Sequence, residues 1–492
     1  MTTFNSKNVK TATLSAIILV GLLIVPIMGN SNVATAAKGG GQFLTSTAPY
    51  ITVVDPVNDS VRALITSGDT LPTGYTFAQI PDGLGATRNG DGTVDVFSNH
   101  ELTAAMGFAK VSKLKLKQGT GGIISAGFDI DGSEGYERLC SASLVESFGF
   151  QHPTFLTNEE VDDGISLAVD AKTGKITEMP WLGEMAHENT IHVAHFYETI
   201  GKTVILTFED GEPTESEVYM YVADSPDDLL AGNGQLYVFG ADVPATYSQW
   251  DDIYFSTGAV DGHFIPLTWD HATQDEVDLH NEAIAAGAFQ FIRPEDGAMD
   301  KREGSENILY MADTGSNVDE NGVAIPAGSN GQSWERGRMY KFVFTDPNDP
   351  TEATFQVIID GNDPVAPGSA AIAVALNSMA NPDNVDTSQN SLMINEDRIG
   401  VNRFGPDAAG DLSRDGKIIR VPLSTIDGGT ATLETVAYVN QNADTAAKEG
   451  DWESTGILNV SDSFGPGSWL VNVQAHSLSE GGQLLLLKVD GS

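Results

Sequence analysis

The chain of 492 residues carries 68 acidic residues against 26 lysines and arginines, a formal charge of −42. That balance excludes the basic surface by which proteins displace counterions from nucleic acid, and it disfavours an anionic bilayer. With 41% hydrophobic residues, 19% charged residues and 52 glycines, the composition is that of a folded chain with many tight turns, not a disordered one.

The N-terminus has the pattern of an export signal. Lys7 and Lys10 precede an apolar run from Ala12 to Met28, and Val33-Ala34-Thr35-Ala36-Ala37 offers a small-residue cleavage site. Residues 1–37 are expected to be a signal peptide, with an uncleaved anchor as the alternative reading. The mature protein is then secreted or held at the cell surface, with no membrane contact after cleavage. Residues 38–48 are expected to be a flexible linker, and 49–492 a single domain.

From Pro49 onward the predicted elements are strands and turns. Asn89-Gly90-Asp91-Gly92 separates two candidate strands, and Asp170-Ala171-Lys172-Thr173-Gly174-Lys175 separates two more. Arg414-Asp415-Gly416-Lys417 precedes a strand at Ile418–Val421. The clearest helical pattern runs from Asp275 to Ala288, as an insertion. Asp313–Asn321 reads as a surface loop.

Six short apolar strands each run into acidic or amide side chains. They start at Val94, Phe155, Val204, Ile308, Leu392 and Trp469, about 50 to 105 residues apart. Six such strands predict six sheets in sequence, each an inner strand with three outer ones. This is an all-β fold, a six-bladed β-propeller with loop and short helical insertions; a large β-sandwich is the alternative.

A second polar motif precedes several of these strand ends. Together the motifs gather Asn99, Glu101, Glu159, Glu160, Glu188, Glu209, Asp210, Glu295, Asp296, Asp383, Asn384, Glu396 and Asp397. So many carboxylates at one end of a propeller need positive charge. Oxygen ligands without clustered cysteines favour calcium, magnesium, manganese or ferric iron over structural zinc. The plainer reading is that individual acids cap turns or sit on solvated loops. The single cysteine, Cys140, excludes an intrachain disulfide and is either a buried apolar group or a metal ligand. Asp129–Glu134 resembles half a calcium loop but is read as a turn, and His192 and His195 as packing residues. There is no Walker A, G-x-S-x-G, H-E-x-x-H or C-x-x-C motif.

The motifs Asn99-His100-Glu101, Arg138-Leu139-Cys140-Ser141, Asn158-Glu159-Glu160, His187-Glu188-Asn189, Glu209-Asp210, Arg293-Pro294-Glu295-Asp296, Pro382-Asp383-Asn384, Asn395-Glu396-Asp397 and Val471-Asn472-Val473-Gln474 follow one another in an order that resembles the PhoX-type alkaline phosphatases. The likeness spans about Pro81 to His476. It implies a six-bladed propeller with calcium and ferric iron on its axis. Cys140 would be the thiolate on iron, and Glu159, Glu188, Glu295, Asp383 and Glu396 would be among the carboxylate ligands. Arg293, or Arg398 in its place, would position phosphate. The expected activity is hydrolysis of small phosphate esters. The leader lacks the twin-arginine pair usual in that family, which keeps open a second expectation: a non-catalytic, calcium-stabilised extracellular propeller acting as a binding or cell-envelope module.

Overall fold

The apolar runs are rich in β-branched and aromatic residues and too short for helices, and each forms a strand. A computed structural model describes residues 42–211, 216–242, 259–316, 336–361, 378–397, 416–440, 452–476, 478 and 480–492. The leader, Arg398, the turn residues 414–415 and most of the loop expected at 313–321 lie outside the described residues.

Four antiparallel strands, Pro81–Arg88, Thr93–His100, Lys110–Lys117 and Ile123–Ile130, make the first sheet in sequence order. Leu139–Val145, Thr154–Glu159, Ser166–Asp170 and Ile176–Met179 repeat the arrangement. A nine-stranded sheet follows. One side of it runs His187–His192, Thr203–Glu209, Val218–Ala223, Gly234–Ala241, and the other runs Pro294–Met299, Ile308–Asp313, Arg338–Asp346, Asp349–Asp360. Val260–Pro266 joins the two by pairing with the outer strand of each. The fourth sheet comprises Pro382–Thr387, Ser391–Glu396, Lys417–Pro422 and Glu434–Val439, and the last comprises Trp452–Asn459, Ser468–Ala475 and Gly481–Lys488.

The N-terminal strands complete these last two sheets. Ile51–Val53 pairs with Glu434–Val439, and Ser60–Thr66 with Gly481–Lys488. The first described strands are thereby stitched to the last. The first strand of each run lies beside the first strand of the next, and Trp452–Asn459 returns to Pro81–Arg88. The fold is an all-β propeller with few helices.

The apolar strands singled out from the sequence are the second strand of each run, not the innermost. Such a strand has sheet on both edges and neighbouring sheets on both faces, so Thr203–Glu209 is buried along its whole length. The innermost strand faces the axis and carries the polar residues. Between the four-stranded runs the core is aromatic. Phe97 and Phe155 stack at 5.2 Å, and Phe239 meets Phe264, Phe342 and Phe355 at centroid distances of 5.3, 5.1 and 5.0 Å. Fully burying each such ring stabilises the fold by about 1.5–3 kcal/mol.

The expected insertion helix spans Glu276–Ala286. Asp275 caps it by accepting from Asp278 N, and Gly287, at φ 96°, ends it in the left-handed region. Residues 42–48 of the expected linker are described. Phe43 is buried and exchanges backbone hydrogen bonds with Ile123 at 2.8 and 2.9 Å.

Candidate metal centre

One local geometry recurs at the start of the innermost strands. The first residue pairs with the last residue of the second strand: Pro81 with His100, Leu139 with Glu159, His187 with Glu209, Pro294 with Asp313, Pro382 with Glu396, Trp452 with Ala475. In the first five, the register then slips by one residue. Such a bulge re-aims the side chains beside it.

The second residue of each innermost strand is Asp82, Cys140, Glu188, Glu295, Asp383 or Glu453. The residue following the second strand is Glu101, Glu160, Asp210, Thr314, Asp397 or His476. All of these except Thr314 line one cavity of about 230 Å³, together with Arg138, Arg293 and Thr455. The cavity thus gathers nine carboxylates and a thiol against two guanidiniums and one imidazole.

The arginines are already engaged. Arg138 lies 2.6 Å from Glu160 and 2.9 Å from Glu101. Arg293 grips Asp210 through two bonds of 2.8 and 2.7 Å and reaches Glu295 at 2.8 Å. His476 is 3.0 Å from Glu453. The Cys140 thiol donates to Glu160 at 2.6 Å, and Ser141 Oγ donates to Glu188 at 2.7 Å. Gln474 Nε2 donates to Asp82 and Glu101 at 3.1 and 3.0 Å.

These contacts leave negative charge uncompensated. Burial, and then the neighbouring carboxylates, push Asp82, Glu188 and Asp383 well above the usual carboxylate range. Burial does the same to Glu295, against the pull of Arg293. Glu160 is raised to about 8 by burial, which Arg138 only partly offsets. Burial and the nearby acids raise the Cys140 thiol.

Three overlapping sets of ligand atoms lie within 4.8 Å of one another: Asp82, Glu101 and Cys140; Cys140, Glu160 and Glu188; Glu188, Glu295 and Asp383. Asp82 Oδ1 is buried and has no hydrogen-bond partner. An orphaned carboxylate oxygen inside a set of hard donors is the arrangement a bound cation would satisfy. The residues present therefore fit cations, with Cys140 the one soft donor.

A floor of third residues closes the cavity below. Asn384 Nδ2 donates to Ser141 Oγ at 2.6 Å, and Asn384 Oδ1 accepts from Gly456 N. The Asn189 amide donates to Asp296, which also accepts from Val385 N at 2.8 Å.

The acidic pairs expected to bind metal jointly split, because adjacent residues on a strand point to opposite sides. Glu160 faces the axis, while Glu159 accepts from Glu137 N at 2.9 Å. Asp210 faces it, while Glu209 accepts from Glu217 N at 3.0 Å. Asp397 faces it, while Glu396 turns inward to Lys417 at 3.1 Å. Likewise Glu295 and Asp383 line the acidic cavity, whereas Asp296 and Asn384 belong to its floor. Arg293 lines the cavity but is held by carboxylates, and Arg398 lies outside the described residues.

Sequence reasoning missed Asp82 and Glu453. Asp82 had a visible signal, since Pro81-Asp82-Gly83 has the same proline–acid start as Pro294-Glu295 and Pro382-Asp383. Glu453, after Trp452, had only its place in the repeat.

The Glu396–Lys417 pair is structural, with both side chains almost fully buried. Lys417→Met should leave Glu396 uncompensated and destabilise the protein by about 3–5 kcal/mol in urea unfolding. An unchanged midpoint would show that the pair carries no such weight.

No family model matches the chain, and no curated protein matches it. Solved structures do. The alpha-L-arabinanase of Penicillium chrysogenum complexed with arabinobiose is 10% identical with a TM-score of 0.42, over 88% of this chain and 98% of that one. The soluble aldose sugar dehydrogenase of Escherichia coli in its apo-form is 10% identical with a TM-score of 0.41, over 87% and 99%. The GH43_1 enzyme of Xanthomonas citri complexed with xylotriose is 9% identical with a TM-score of 0.35, over 85% and 89%. Likenesses at this level carry nothing about the activity of this chain. The resemblance drawn from the ordered motifs is corrected. No family model and no curated protein supports it, and the three similar structures named above are an arabinanase, a sugar dehydrogenase and a GH43_1 enzyme, none of them such a phosphatase. The phosphatase assignment, its phosphate-ester substrates and the non-catalytic envelope reading are withdrawn.

Proposed function

We propose that the chain is an exported, metal-dependent propeller protein of six blades whose axial acidic centre takes up several cations of the calcium class. The observation that carries this is the set of three overlapping ligand groups, running from Asp82 to Asp383, with Asp82 Oδ1 left without a partner. Six blades are supported by the nine-stranded sheet, whose two four-stranded runs each have an innermost strand and an axial acid, Glu188 and Glu295. Export is supported by the leader pattern of residues 1–37.

A cation held there would act as a Lewis acid on an oxygen ligand entering the cavity. The chain's own groups do the holding. Glu188 belongs to two of the ligand sets, and Cys140 to two. Arg138 and Arg293 fix the acids at the mouth, so the ligand oxygens are in place before any ion arrives.

Cations that bind only the folded chain stabilise it by mass action, by about 4 kcal/mol per site at a thousandfold excess over Kd. Chelator should therefore lower the melting temperature by at least about 5 °C, and added calcium should restore it. Identical melting of chelated and calcium-loaded protein would overturn the proposal. Elemental analysis of the same samples decides whether iron accompanies calcium.

A further inference from the structure

The opposite end of the axial channel is built from different chemistry. Beyond the floor lies a cavity of about 410 Å³, lined by side chains from the innermost strands. Part of its wall is an apolar ring of Leu84, Ile191, Ala298, Val385 and Ile457, each from the fourth to sixth position of its strand, and the rest is polar, with Ser143, Glu146, His192, Lys301 and Asp386. Its size, and an apolar ring beside polar groups, suit a small-molecule site.

Asp296 lies on this cavity and is 5% exposed. Its oxygens accept only from neutral donors: the Asn189 amide, Gly297 N at 2.5 Å and Val385 N at 2.8 Å. No described lysine, arginine or histidine pairs with it. Lys301, which also lines the cavity, is bound to Asp386 at 2.5 and 2.7 Å. Outside the acidic centre, three other buried acids do have a cation: Glu396 has Lys417, Asp360 has Arg338, and Asp300 has Arg302. A buried carboxylate without a countercharge is costly unless something supplies one.

We propose that this cavity is a second ligand site, for a small organic cation. A primary ammonium group meets Asp296, and a compact apolar body packs against the ring of Leu84, Ile191, Val385 and Ile457. The site is independent of the acidic centre on the other side of the floor.

Calorimetric titration of the full chain, kept in calcium, tests this with benzylammonium and its neutral counterpart benzyl alcohol. Benzylammonium should bind one per chain, at least about tenfold more tightly than the alcohol. Asp296→Asn should abolish that preference. Ala298→Phe, which fills the wall without touching the carboxylate, should weaken both ligands at least about tenfold while leaving calcium content unchanged. The proposal is overturned by absence of saturable benzylammonium binding, by equal binding of the alcohol, or by binding that survives both variants.

Discussion

Replacing Glu188 by glutamine should stabilise the metal-free protein and destabilise the calcium-loaded one. Glu188 is buried between Glu160, Glu295, Asp82 and Asp210, all of which oppose its ionisation. Without a cation, an amide of the same shape removes that repulsion and the desolvation cost of a charge. With cations bound, the same substitution removes a ligand shared by two sets. Outer-shell changes at metal sites typically cost about 10–100-fold in affinity, so loss of this direct ligand should cost about 100-fold or more. Urea unfolding with and without chelator gives both signs at once. If Glu188→Gln lowers stability equally in the two conditions, the residue is a packing element and holds no ion.

The metal-free protein should lose stability as pH rises from about 5 to 8, and the calcium-loaded protein should not. Folding raises the pKa of Asp82, Glu188, Glu295 and Asp383 well above the usual range and that of Glu160 to about 8. The folded chain then holds protons that the unfolded chain has released. The stability this contributes is fully present below the unfolded pKa, near 4.5, and is lost as pH rises through the folded values, each unit being worth roughly 1.4 kcal/mol per proton. Asp296, raised to about 7, and Asp313, raised to about 6, act in the same direction. Calcium competes with those protons, so its affinity rises over the same range. Denaturation curves from pH 5 to 8.5 should show the gap between chelated and loaded protein widening with pH. A metal-free protein that becomes more stable as pH rises would contradict this charge account.

Much of this site was legible because one geometry serves each repeat. Strand ends bearing Glu159-Glu160, Glu209-Asp210 and Glu396-Asp397 announced where acids would gather. Which member of each pair faces the axis was not legible. That depends on strand register and on the bulges after Pro81, Leu139, His187, Pro294 and Pro382, which no local pattern sets. The apolar runs gave the second strands correctly as strands but not their rank, since a run such as Val204–Phe208 shows only that both faces are covered. The pairing of Ser60–Thr66 with Gly481–Lys488 joins the two ends of the domain and has no signature in either segment. The order of the motifs carried the placement of charge. It did not carry the chemistry, because similar strand ends serve unrelated reactions on one fold.

The most direct test is an anomalous-scattering map from crystals grown with calcium and then soaked in a heavier lanthanide. The account predicts more than one peak on the axis, within bonding distance of carboxylates from Asp82, Glu188, Glu295 and Asp383. A map without density among those four side chains, in crystals where they still converge, would show that the acids meet without holding an ion.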